Sequence, residues 1–326
     1  MNIEEPLWKF IQLYWDKALD YYTQFPDKRI FWSSTKRAYI AYKKYGVFCV
    51  VLGSAIGITL EDKDICYKEF FVYMRKKRTI VTHYRVSLQD ILTSIKKKRL
   101  SSIAIWEEWI IHLPNFTLNQ SIYKNLRNTF NKCIRNEYKV EYLKAPYDKN
   151  IEKHIYDLSH QWLEKKRKKE LWFSQWYLTP ETITLYDDIA ILYDKDDNIL
   201  GFCTFFVVWD MCAYDIMRYT SSITNGLIDY FLTSIILHAQ AIWCQYFSLG
   251  LTPMCFSKKQ KNIFSQALGF IGKTFNSIHH YQDLRHFKQK YHPERETRYF
   301  LCKKRYVIPF SLVLRQAMRV KIKHNI

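Results

Sequence analysis

The chain has 326 residues, 48% of them hydrophobic and 25% charged, which is enough for a sizeable core in one large domain or two ordinary ones and excludes a disordered polymer. Lysine and arginine outnumber aspartate and glutamate by 50 to 31, a formal net charge of +19. The surface therefore attracts polyanions such as nucleic acid, phospholipid headgroups or phosphorylated cofactors, unless the charge serves only solubility.

Several features bear on compartment and organisation. Eight cysteines, at positions 49, 66, 133, 203, 212, 244, 255 and 302, contain no CxxC pair. They read as reduced core thiols in the cytoplasm, not as a disulfide framework or zinc site. The start, Met1-Asn2-Ile3-Glu4-Glu5, is acidic and predicts no secretory leader. Val47–Leu60 is too short to span a bilayer, and Leu227–Leu251 carries Asp229, His238, Gln240 and Gln245, so no membrane span is expected.

In chain order, Leu7, Phe10, Ile11, Tyr14 and Ala18 fall at helical spacing after Pro6, predicting an opening helix. Residues 37–42 and 47–52 form a hairpin pattern around Gly46. A helix near 62–77, a strand over 79–86 and a return to helix at 88–94 follow. Residues 103–113 read as two short strands. Pro114-Asn115 then introduces a helix over about 120–136, with Ile122, Leu126, Phe130 and Cys133 on one side and Lys124, Arg127, Asn131 and Arg135 on the other. The chain changes character at Ala145-Pro146-Tyr147, which places a boundary between halves 1–145 and 146–326. The second half predicts a helix over 151–170, a meander of strands 189–193 and 199–209, and a strand over 212–219. A helix to about 244, a strand over 246–251, a helix over 259–268 and a final strand near 299–302 complete it. Antiparallel strands with attached helices in both halves favour an α+β class over a doubly wound parallel sheet. The element order of the second half is that of the GCN5-related acetyltransferase fold, an analogy of architecture that fixes no substrate.

Three segments carry a family resemblance. Asp215-Ile216-Met217-Arg218-Tyr219 is followed by Asn225-Gly226 and Asp229-Tyr230-Phe231. Phe247-Ser248-Leu249-Gly250-Leu251-Thr252-Pro253-Met254 is the second. The third is Leu284-Arg285-His286-Phe287-Lys288-Gln289-Lys290-Tyr291, with Pro293 and Glu296-Thr297-Arg298-Tyr299 after it. Weaker matches are Lys124–Asn128 and the stretch from Trp162-Leu163 to Phe173-Ser174. Together, in register from about residue 30 to 320, they resemble the catalytic C-terminal domain of the aminoacyl-phosphatidylglycerol synthases, or phosphatidylglycerol lysyltransferases. The resemblance implies two tandem GCN5-related acetyltransferase-like (dual GNAT) halves of mostly antiparallel mixed sheet flanked by helices. It further implies transfer of an amino acid, lysine or alanine, from charged tRNA to a hydroxyl of an anionic phospholipid such as phosphatidylglycerol. The family's long membrane region has no counterpart in this sequence, so peripheral contact with the inner membrane face through charge is expected.

Such a transfer must activate a hydroxyl, stabilise an oxyanion, hold an amino acid and dock two polyanions. Asp215 and Arg218 are the catalytic candidates. Asp215 could bind the α-ammonium or a cationic side chain, or accept the acceptor proton. Arg218 could clamp phosphate. A buried Asp–Arg pair that fixes the fold is the alternative, and the resemblance favours the site role. Three residues apart on a regular strand, the two face opposite ways, so a shared site demands a bulge. Asn225 and Gly226 at a helix start offer bare N–H groups, or an ordinary cap. With Asp229, Lys288, Lys290, Arg298 and Ser174 they form the substrate-binding set that the resemblance implies; for the lysines a solvated basic face is the alternative. Lys124, Arg127, Lys165, Lys166 and Arg167 read as tRNA or membrane attraction. No metal is expected, since the late histidines lack ligand spacing. No cofactor is expected either. The missing coenzyme A loop argues against that donor, although a coenzyme A-dependent N-acyltransferase and a non-catalytic nucleic-acid or membrane binder remain rival readings. Gly-x-Ser-x-Gly, Walker and paired-carboxylate patterns are lacking.

Overall fold

A computed structural model of the chain describes residues 14, 17–25, 27–92, 100–165, 178, 188–224, 226–253, 281–307 and 309. The expected helices at 7–18 and 259–268 fall largely or wholly outside them.

Twelve strands join one sheet: β1 (Arg29–Trp32), β2 (Ala38–Tyr45), β3 (Phe48–Leu52), β4 (Ile56–Gly57), β5 (Ile80–Val86), β6 (Ser101–His112), β7 (Lys139–Lys144), β8 (Asp188–Tyr193), β9 (Ile199–Val208), β10 (Met211–Tyr219), β11 (Tyr246–Pro253) and β12 (Glu294–Cys302). Among the described residues, five helices longer than a single turn flank it: α1 (Leu60–Lys76), α2 (Lys124–Arg135), α3 (Lys149–Lys165), α4 (Leu227–Ala241) and α5 (Tyr281–Gln289). The sheet runs β1-β2-β3-β5-β12-β6-β11-β10-β9-β8-β7, with β4 beside β2.

This order contains one unit twice. The β2–β3 hairpin, α1 and a parallel β5 match the β9–β10 hairpin, α4 and a parallel β11. The strands that follow are exchanged: β6 pairs with β11, β12 pairs with β5, and β6 and β12 run antiparallel between them. The α+β class with a mixed, mainly antiparallel sheet is as the sequence predicts. The sheet does not part at residues 145/146, which fall between β7 and α3, and β7 lies at the far edge beside β8.

Local chemistry explains the main elements. Helix α1 starts on a capping box in which Thr59 and Asp62 satisfy each other's backbone N–H groups. Helix α2 turns Leu126 and Cys133 inward against α4, whose buried Phe231, Ile235 and Ile236 share the same core cluster. The stretch expected as two short strands over 103–113 falls on one twelve-residue strand, Ser101–His112, with Leu113 opening a 3-10 turn. Of the expected helix at 88–94, residues 88–92 are described, and they open on an α-turn, Leu88–Asp90, capped by Ser87. The cysteines among the described residues are buried and unbridged. No helix among those residues is long and apolar enough to cross a membrane.

Candidate functional site

The site forms where two parallel strands separate. Strands β10 and β11 pair only from Met211 to Ala213 with Tyr246 to Ser248. Beyond that, β10 shifts register against β9 between Tyr214 and Met217, and β11 shifts against β6 between Ser248 and Leu251. Gly250, at φ 72, supplies the left-handed residue in the second irregularity. Two bulges at one level open the seam.

The first bulge also settles the facing of the two catalytic candidates. Asp215 accepts a hydrogen bond from the Tyr22 hydroxyl at 3.1 Å, and Tyr22 lies in a buried 3-10 segment, Ala18–Gln24. Arg218 donates to the Ser159 hydroxyl and stacks 5.6 Å from the centroid of Trp162. Ser159 and Trp162 lie on α3, whose Ile155 and Leu158 share a core cluster with Tyr22 and Ile216. Asp215 and Arg218 therefore face the same side of the sheet. Asp215 keeps partial exposure, whereas Arg218 is only 5% exposed beneath α3. Burial raises the Tyr22 phenol well above its usual range, and the Asp215 charge adds to that, so Tyr22 stays a neutral donor. Lys28 is buried beside Asp27 at 2.5 Å. Burial lowers its ammonium, and the charges of Asp27 and Asp215 oppose the shift only in part.

A second polar cluster adjoins the first. Glu108 on β6 is buried; it accepts from Ser248 Oγ at 2.9 Å and from Arg298 Nε at 2.7 Å. Burial alone would raise its carboxyl, but Arg298, Arg85 and these hydrogen bonds outweigh it and hold the group below the usual range. Arg298 also meets Glu296 at 2.7 Å. Lys288 reaches in from α5 and donates to the Leu251 carbonyl at 3.0 Å. Burial lowers its ammonium to about 7, against a partial rescue by Glu108. Arg85, held at φ 66 on β5, joins the clusters: it lies 5.8 Å from the Tyr22 ring centroid, and its charge acts on Tyr22, Glu108 and Lys288.

The remaining sequence candidates sit elsewhere. Gly226 caps α4 in the left-handed region at φ 87, and a Cβ there would meet Thr129 Cγ2 at 2.7 Å. Its visible role is thus close packing of α4 on α2. Asp229, in the first turn of α4, pairs with Lys290 at 2.8 Å. Arg127 donates to the Leu118 carbonyl at 2.6 Å, while Lys124 and Lys165 are exposed. Asn225, Ser174, Lys166 and Arg167 lie outside the described residues. No group of histidine, cysteine and carboxylate side chains among the described residues could hold a metal.

Tyr22, Lys28, Arg85, Glu108 and Ser248 were not singled out from sequence. Glu108 and Arg85 carried a usable signal, since a charge within an otherwise apolar strand must find a partner or a task. Tyr22 carried none. The polar set offers a carboxylate suited to an ammonium, beside an excess of cations suited to an oxyanion or phosphate.

The profile of a family described as "Phosphatidylglycerol lysyltransferase, C-terminal" matches residues 9–302. A phosphatidylglycerol lysyltransferase of Staphylococcus haemolyticus is 24% identical over 97% of this chain and 37% of its own length. The Bacillus subtilis enzyme of that name is 24% identical over 88% of this chain and 34% of its own. The chain thus spans about a third of these curated relatives. The solved structure of L-PGS from Bacillus licheniformis superposes with a TM-score of 0.87 at 23% identity, covering 97% of this chain and 96% of that one, and so shares the fold. The chain belongs to the phosphatidylglycerol lysyltransferase C-terminal family.

Proposed function

We propose that the chain is an aminoacyltransferase that moves an amino acid, lysine or alanine, from charged tRNA to a hydroxyl of an anionic phospholipid such as phosphatidylglycerol. The observation that carries this reading is the open seam between β10 and β11, where Asp215 is held by Tyr22 beside a cationic cluster. Family membership supports it, because the curated relatives that this chain matches over about a third of their length carry a lysyltransferase name.

The acceptor hydroxyl oxygen attacks the ester carbonyl carbon and a tetrahedral oxyanion forms. The bond to the terminal ribose oxygen then breaks, and that oxygen takes the proton released by the acceptor. One ester replaces another, so the charged tRNA supplies the driving force. Asp215 binds the α-ammonium and fixes the ester. Arg85, Arg298 and Lys288 provide the positive field that a developing oxyanion or lipid phosphate requires. Arg218, tied to Ser159 and Trp162, positions α3 over the bulge. The protein works at the cytoplasmic membrane face, and its net charge of +19 draws it to tRNA and lipid alike.

Purified protein is incubated with radiolabelled lysyl- or alanyl-tRNA and phosphatidylglycerol vesicles, and in parallel with labelled acetyl-CoA and amines. Label in the lipid fraction only with the tRNA donor is expected. Label on amines from acetyl-CoA, or no product from either donor, contradicts the reading.

A further inference from the structure

At one end of the sheet two turns each present a tryptophan to solvent. Trp209, between β9 and β10, is 70% exposed, and Trp243, between α4 and β11, is 85% exposed. The turns are fastened together: the N–H groups of Gln245 and Tyr246 donate to the Asp210 carbonyl at 2.6 and 3.0 Å. Ile242 and Tyr246 extend the apolar surface beside them. Both tryptophans adopt the left-handed region, at φ 56 and 69. That conformation strains a side-chain-bearing residue and suits glycine or asparagine. Two strained, protruding indoles on adjoining turns are not explained by packing, because most of each ring lies in solvent.

We propose that this ridge is an interfacial anchor that inserts into an anionic bilayer. Tryptophan partitions to the headgroup level, where its ring is apolar on its faces and its N–H stays wet. A ridge that protrudes fits a soft interface. The net charge of +19 adds attraction to anionic lipid, while the only charge within the two turns, Asp210, opposes it. Strand β10 runs from the ridge directly to Asp215, on the order of 13 Å at the usual strand rise, so the anchor would hold the cleft near the headgroups. The choice of a bilayer as occupant rests on the lipid acceptor proposed above.

The test compares wild type, the double variant Trp209→Asn/Trp243→Asn, and Asp210→Asn. Sedimentation with vesicles of phosphatidylglycerol and phosphatidylcholine gives affinity, and brominated lipid reports indole depth by quenching. A second readout is transfer from charged tRNA to a water-soluble short-chain acceptor. The double variant should lose about tenfold or more in vesicle affinity and its lipid quenching, with an unchanged or higher melting temperature, since asparagine tolerates the left-handed region. Asp210→Asn should bind more tightly. Wild type that does not bind vesicles, a double variant that binds like wild type, or a wild-type dimer that the double variant abolishes would each overturn the anchor, the last in favour of a second copy of the chain. The binding arm decides the anchor whatever the transfer arm shows, and transfer to the soluble acceptor decides the function independently.

Discussion

The two parallel strand pairs among the described residues hold the same place in the repeated unit and have opposite fates. In the first, β3 and β5 stay paired from Phe48 with Ile80 to Leu52 with Tyr84. The seam then continues through the Gly53 N–H, which donates to the Tyr84 carbonyl at 2.7 Å. Leu19 fills the space over Gly53, and the Tyr67 hydroxyl accepts the Ala55 N–H at 2.8 Å. In the second, β10 and β11 part after Ala213 and Ser248, with Asp215 at the bulge of β10, Glu108 bound to Ser248 and Lys288 bound to the Leu251 carbonyl. A closed seam gives stability; an open one hands its backbone groups to side chains, with Thr204 taking the Ile216 N–H, Ser248 the Gly250 N–H and Lys288 the Leu251 carbonyl. The closed half also serves the open one, because Tyr22 and Arg85 reach across to it.

The largest effect on stability should come from the open half's buried ion pair. Arg298→Met leaves Glu108 charged and buried, which should cost about 3–5 kcal/mol in denaturant unfolding. Adding Glu108→Gln should recover part of that loss. Full additivity of the two would show that the pair does not act as a unit.

Lys288 gives the open half a pH signature that begins near neutrality. Its folded value of about 7 lies below the unfolded value of about 10.4. Between those limits the unfolded chain binds more protons, so stability should rise as pH rises through that window and level off outside it. Lys288→Met should flatten this slope in melts recorded from pH 7 to about 10. An unchanged slope would move the cause elsewhere.

Gly226→Ala should cost about 1–2 kcal/mol from the left-handed backbone alone, plus the contact with Thr129. Thr129→Ala should relieve the contact but not the backbone term. Smallest of all, Lys290→Ala removes a half-exposed ion pair with Asp229 and should change stability by less than about 1 kcal/mol. A larger loss, or a large fall in transfer, would place Lys290 in the machinery.

Elements specified by short windows of sequence are predicted by it, whereas contacts between distant positions are not. The β2–β3 hairpin, helix α2 and the β8–β9 meander were readable from periodicity and turn residues over short windows. The need for a bulge between Asp215 and Arg218 followed from strand geometry, and the register shift between Tyr214 and Met217 meets it. Strand β7 escaped because Lys139–Lys144 is short and polar on an edge. The start of β12 escaped because Glu294–Arg298 reads as a charged loop until Arg298 meets Glu108. Tyr22 is separated from Asp215 by 193 positions, and no local pattern encodes that contact.

The central claim is that chemistry belongs to the open seam alone. Single-turnover transfer of lysine from tRNA to phosphatidylglycerol, measured for Asp215→Asn and for Tyr67→Phe, tests it most directly. Asp215→Asn should slow transfer about 100-fold, because the ester is no longer fixed for attack, while Tyr67→Phe should stay within a few-fold of wild type, both proteins remaining folded. Equal rates for the two variants would contradict it.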